Sequence, residues 1–197
     1  NKLLSTLSSS VDSTDVNIPL LEKREIKNKL LIMITPERGL AGALIGNINR
    51  TVLGSIINSK EPYKVLSIGK KGSRFMASRG FEIIDQIVIN DRPELSDTLN
   101  VSELIINGFI KEDWDQVDIA YSEYINTTSQ KPTLRTILPI TSEEESDVNS
   151  NVDYIYEPSS QEVLREITPK YIRSQIFQSV LEAFASEHSA RMVAMQN

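Results

Sequence analysis

The chain has 197 residues, 40% of them hydrophobic and 24% charged, with a formal net charge of −6. That length and mixture suit one sizeable globular domain, or one domain with an appendage. The acidic balance argues against general nucleic-acid binding, which needs a basic surface to release counterions from phosphates. No apolar run approaches the roughly 20 residues that span a bilayer. No positively charged start followed by an apolar core reads as a signal peptide. With no Cys and one His, thiol chemistry and thiolate metal sites are excluded for this sequence, and a zinc centre of the usual kind lacks ligands.

Residues 1–27 are polar. Leu3, Leu4 and Leu7 read as the end of a helix, and the Ser run at 8–10 with Asp12 and Asp15 reads as a linker. Lys29–Thr35 is a continuous apolar run, short enough for a strand buried on both faces, and Pro36 ends it. Leu40, Leu44, Ile48, Val52 and Ile56 recur every fourth position and form one face of a helix over 40–57. The alternation then repeats. Tyr63–Ile68 is a strand, Ser73–Ser78 a short helix closed at Gly80, and Ile83–Ile89 a strand. Leu95–Ile110 is a helix with Leu99, Leu104, Ile105 and Phe109 apolar; Val117–Asn126 and Thr133–Ile140 follow as strands. Strand–helix alternation with buried strands predicts an α/β fold built on a mostly parallel sheet with flanking helices.

The acidic stretch Thr141–Asn151 reads as an exposed loop, and Asp153–Pro158 as extended. Ser159 and Ser160 offer a helix start, and Thr168-Pro169 a second, because Pro is favoured at the first helical position. From Lys170 no breaker intervenes. Ile172, Ile176, Val180 and Phe184 form an apolar row, with Phe177, Leu181 and His188 beside it. Only Asn197 could cap the end, so the pattern reads as a helix interrupted rather than finished, and one that needs a partner. The expected division is 1–27 as a helix end and linker, 28–158 as the α/β domain, and 159–197 as the start of a long helix.

Two glycine-bearing turns invite a phosphate-binding reading. Residues 37–46 place Gly39, Gly42 and Gly46 between a strand and a helix, where free N–H groups favour anions. The spacing G-x-x-G-x-x-x-G is neither the dinucleotide fingerprint nor a P-loop. A tight turn and close helix-to-sheet packing explain these glycines more simply. Gly69-Lys70-Lys71-Gly72-Ser73 is the second turn, and its lysines read as a solvated face. His188 has no second His or nearby Asp, and no G-x-S-x-G occurs. No catalytic constellation and no cofactor site emerges. The competing reading is a small α/β nucleotide-binding enzyme or sensor that uses the Gly39–Gly46 turn.

Separated stretches resemble the gamma subunit of F-type ATP synthases. Thr35-Pro36-Glu37-Arg38-Gly39-Leu40-Ala41-Gly42-Ala43-Leu44 is similar to that family's Asp-Arg-Gly-Leu-Cys/Ala-Gly-Gly-Leu motif, with Glu37 for Asp and Ala43 for the second Gly. Ile68-Gly69-Lys70-Lys71-Gly72 resembles its Ile-Gly-x-Lys-Gly turn, and residues 124–132 its Phe-x-Asn-Thr-x-x-Gln-x-Pro strand end. Residues 154–158 also resemble the family. Residues 185–195 match Ala-Ser-Glu-x-x-Ala-Arg-Met-x-Ala-Met, the most specific of the set.

The resemblance implies a non-catalytic rotor: a Rossmann-like domain near the foot of an antiparallel coiled-coil shaft, most of whose two helices lie outside this sequence. It implies alpha and beta subunits, an epsilon subunit and a c-ring as partners. It also implies attachment to the membrane only through the complex, on the cytoplasmic face of a bacterial plasma membrane. Tyr154, Tyr156 and Glu157 would lie at the foot, towards epsilon and the c-ring. Glu187, Arg191, Met192 and Met195 would lie on the shaft helix, with the two charges on its surface. Arg38, Gly39 and Gly42 would form a structural turn. The stripe from Ile172 to Met195 would pack on the other shaft helix.

Overall fold

In a computed structural model of the chain, the described residues are 18–140 and 160–197. The central strand is β1 (Lys29–Ile34), and its residues from Leu30 onward are fully buried. Successive side chains of a strand point to opposite faces. Leu30, Ile32 and Ile34 accordingly enter one apolar cluster, and Leu31 and Met33 enter another on the far side of the sheet. A continuous apolar run is what a strand covered on both faces requires.

Around β1 the sheet is ordered β3-β2-β1-β4-β5, with β2 Tyr63–Ile68, β3 Glu82–Ile87, β4 Gln116–Asn126 and β5 Ser129–Leu138. The first four strands are parallel, and β5 returns antiparallel to β4. This is the mostly parallel sheet the alternation predicts. The strand order turns between β1 and β4: from β1 the chain builds outward through β2 to β3, then returns to add β4 on the other side of β1. In open α/β sheets that turning point is where ligands sit.

Helices α1 (Leu44–Ile56) and α2 (Lys70–Ser78) cover the face bearing Leu31 and Met33, using Ile48, Val52, Ile56 and Met76. Helices α3 (Leu95–Ile110) and α4 (Ser160–Gln196) cover the other face with Val101, Ile105, Phe109, Ile172, Ile176 and Val180.

Several local expectations are corrected. α1 begins at Leu44 rather than Leu40, because Leu40 and Gly42 take left-handed backbone (φ 65° and 57°) and delay the helix. Leu40 lies 74% exposed, outside the helix face. α2 begins at Lys70, straight after Gly69, whose φ is 98°. β5 begins at Ser129, four residues before the expected Thr133, since Asn126 closes the hairpin. Its Oδ1 accepts from the Thr128 and Ser129 N–H groups at 3.0 and 2.9 Å. Within α3, Ile105 and Phe109 are buried as expected, but Leu104 is exposed.

The last helix runs through the second start predicted at Thr168-Pro169. α4 runs 37 residues from Ser160 with Pro169 inside it. A proline within a helix removes one N–H and crowds the preceding turn. Beside it, the Thr168 hydroxyl donates to the Leu164 carbonyl at 2.6 Å. Tertiary burial of Leu164, Thr168 and Ile172 keeps the helix continuous here.

Candidate functional site: the helix–sheet joint

Two close backbone approaches gather where β1 and β2 end. Thr35, just beyond β1, accepts the Gly72 N–H on its Oγ1 at 2.8 Å. A Cβ on Gly69 would sit 1.9 Å from the Thr35 carbonyl oxygen, and one on Gly72 would sit 2.7 Å from Thr35 Oγ1. These two glycines let the start of α2 touch the end of β1. Gly39, Gly42 and Gly46 have nothing within 4 Å of such a Cβ. The expected close packing at that trio is therefore corrected, and only Gly42 needs to be glycine, for its left-handed backbone. Lys70 pairs with Glu37 at 3.2 Å, so one of the two lysines of the second turn is tied to the first turn.

α4 lies across the point where the strand order turns. β1 pairs with β4 only as far as Ala120, and beyond it the edge of β4 that faced β1 has lost its strand neighbour. Ser186 fills that place: its hydroxyl, fully buried, donates to the Ser122 carbonyl at 2.8 Å. Phe184 and Glu187 line what remains of the crevice with Thr35 and Arg38, a cleft of about 40 Å³. Small-molecule sites measure about 300–1,000 Å³. A nucleotide thus has no room where this topology would hold one. An open groove of about 340 Å³ lies between the α1 start, the hairpin turn and Ala190, Val193 and Ala194 of α4. No charged side chain lines it, so it offers phosphate no countercharge.

Lower on α4 a second fixing point comes from β5. Arg135 donates through Nη1 to Gln175 Oε1 at 2.7 Å and through Nη2 to Ser179 Oγ at 3.1 Å. Ser179 gives its own proton to the Gln175 carbonyl at 2.9 Å, which leaves its lone pairs free to accept. Neither Arg135 nor Ser186 stood out in the sequence. The available signals were a charge inside the otherwise neutral run 132–138, and a Ser three positions after the small Ala183, continuing the buried row.

The predicted shaft residues divide. Glu187 and Arg191 form an i, i+4 ion pair, yet Glu187 is only 13% exposed and turns inward on the cleft. The expectation of both charges on an outer surface is corrected on that point. Met192 and Met195 are exposed at 45% and 60%. Ile172, Ile176 and Val180 pack on the chain's own sheet and α3, so the lower part of the stripe needs no second shaft helix; only Leu181, Met192 and Met195 remain exposed as large apolar groups on α4. Arg38 is exposed on the turn after β1. Tyr154, Tyr156 and Glu157 lie outside the described residues.

At the other end of the sheet, buried polar groups anchor the entry to β1. Asp115 accepts from the Lys27 and Asn28 N–H groups and pairs with Arg24 Nε at 2.6 Å. Burial pushes the Asp115 carboxyl up, but those N–H groups and Arg24 outweigh it and hold it below its ordinary value. Arg24 also donates to the Phe109 and Trp114 carbonyls and stacks over the Phe109 ring. Tyr63 donates to Asp118 at 2.7 Å; burial first, and that carboxylate second, push its phenol well up.

A family model described as ATP synthase matches residues 1–197. The chain is 44% identical over 183 residues to an ATP synthase gamma chain of Roseiflexus sp. (strain RS-1), covering 90% of this chain and 63% of that one. It is 36% identical over 197 residues to the ATP synthase gamma chain of Dehalococcoides mccartyi (strain CBDB1), covering 100% of this chain and 69% of the relative. It thus spans less than two thirds of the first relative's length. In fold it is similar to a chain of the Tetrahymena thermophila mitochondrial ATP synthase central stalk and c-ring structure. There the TM-score is 0.72 at 22% identity, over 100% of this chain and 84% of that one. Motif, topology and relatives agree, and the chain belongs to the ATP synthase gamma chain family.

Proposed function

We propose that this chain is the lower body of a central-stalk rotor, which carries rotation between a proton-driven membrane ring and a catalytic ring of alpha and beta subunits. It performs no chemistry of its own. The observation that carries this reading is the placement of α4. One helix of 37 residues, about 55 Å long, is fastened to the head across the crevice that a nucleotide-binding relative of this topology would keep open. An enzyme or sensor needs that crevice; a shaft needs the fastening. Met192 and Met195 are exposed on the last turns of α4, an apolar surface that a second shaft helix would cover.

Tyr154, Tyr156 and Glu157 form the foot in this reading and meet the epsilon subunit and the c-ring. The complex then sits on the cytoplasmic face of a bacterial plasma membrane, with this chain peripheral to the bilayer. Rotation acts by differential contact: the turning shaft favours one conformation of each catalytic subunit over another, so that their nucleotide affinities alternate.

The foot is tested by Tyr156→Ala with Glu157→Ala in the full-length subunit of the assembled complex. The expected result is intact ATP hydrolysis by the detached soluble part with proton-coupled synthesis lost. Unimpaired synthesis would remove these residues from the foot.

A further inference from the structure

We propose that Arg135 and Ser186 fix the register of α4 on the sheet, so that head and shaft hold one relative position under load. This rests on the rotor reading and adds to it the residues that hold the joint. The apolar contact alone does not specify a register. Ile172, Ile176 and Val180 are buried at i, i+4 spacing. A shift of α4 by one turn, about 5.4 Å, would place each of these side chains roughly where its neighbour had been. Apolar burial is non-directional, and packed elements are known to ratchet by one turn past one another. A shaft loaded along its length meets that degeneracy directly.

The polar contacts remove it. Arg135 offers two fixed N–H directions, and Gln175 and Ser179, one turn apart, take both. Ser186 is two turns further along and reaches a carbonyl of a different strand, β4. Moved one turn, the Ser122 carbonyl would face Ala190 or Glu182 instead of Ser186. Moved the same way, Arg135 would keep one acceptor at most. Ser179 and Ser186 are fully buried, and a buried group left without a partner costs more than its bond contributes, so their contacts act mainly against wrong positions. Arg135 Nε already lies buried without a hydrogen-bond partner in the described structure. Its guanidinium also lies over the Tyr121 ring at 5.7 Å, so the two Nη bonds are what tie it to one position of α4, much as a buried polar residue sets coiled-coil register.

The test uses the full-length subunit in the assembled complex, with spin labels on cysteines introduced at the exposed positions Lys131 and His188. Electron–electron distance measurement reports the register. The expected result is one distance in the parent protein, and in Arg135→Met with Ser186→Ala a second, resolved distance that corresponds to α4 displaced by one turn along its axis. Ile176→Val, which weakens the same contact without touching its polar groups, keeps the single distance. Ser186→Ala alone keeps the test available should the double variant not fold, and it too gains the displaced population. A single unshifted distance in these variants overturns the proposal. Failure of the parent subunit to join alpha and beta subunits would count against the rotor reading instead, and the register would still be read in the free subunit.

Discussion

Replacing glycines one at a time separates those the fold needs from those it tolerates. Gly69→Ala puts a methyl 1.9 Å from a backbone oxygen, where no flexible side chain can yield. It also forces Ala into φ 98° and ψ 146°, a region reserved for glycine, at a cost of about 1–3 kcal/mol before any clash. Together these give roughly 3 kcal/mol or more of lost stability. With a urea m-value near 2 kcal/mol/M, the midpoint falls by about 1.5 M. Gly108→Ala drives a Cβ to 2.1 Å from the Trp114 ring and costs about 1–3 kcal/mol by overpacking. Gly46→Ala behaves oppositely: the position is exposed inside α1 with open space around it, so Ala stabilises by about 0.5–1 kcal/mol. Urea titration followed by far-UV dichroism and by the single tryptophan, buried Trp114, reads all three. A Gly69→Ala within about 1 kcal/mol of the parent would refute the account of how β1 meets α2, and a destabilised Gly46→Ala would refute the open space around Gly46.

Thr35→Val keeps the shape of its side chain but strands the Gly72 N–H, and should cost about 1–3 kcal/mol in the same titration. Asp115→Asn should lose about 2–3 kcal/mol at pH 7 by weakening contacts to Arg24 and two N–H groups. Because the folded Asp115 carboxyl lies below its unfolded value, its contribution is complete above the unfolded pKa near 4 and vanishes as pH falls through the folded one. The stability gap between parent and Asp115→Asn should therefore narrow below about pH 4. A gap constant down to pH 2 would contradict that assignment. Tyr63 titrates in the reverse sense: its folded phenol lies above the unfolded value, so stability declines as pH rises past about 10. Tyr63→Phe should cost about 1 kcal/mol at neutral pH and flatten that alkaline decline.

The features legible in the sequence are those set by local pattern. Lys29–Ile34 announces a strand buried on both faces because all its neighbours are apolar, and Leu44 to Ile56 announces a helix by its fourfold spacing. The residues that shape the joint are set by partners far along the chain. Gly69 and Gly72 are small because of Thr35, and Gly108 because of Trp114, which its own helix segment does not reveal. Glu187 looked like a surface charge since i, i+4 pairing with Arg191 is a common exposed pattern. Only the crossing of α4 over the end of β1 turns it inward. Pro169 marked a helix start by local rule, and burial of Leu164 and Thr168 overrode it. The family's motifs located the joint more surely than periodicity did, since residues 35–44, 68–72 and 185–195 meet there.

The most direct test of the rotor account is native mass spectrometry of the full-length protein purified from its source. The account predicts one copy held with several copies each of two larger nucleotide-binding subunits. A free chain, or one that carries its own bound nucleotide, would contradict it.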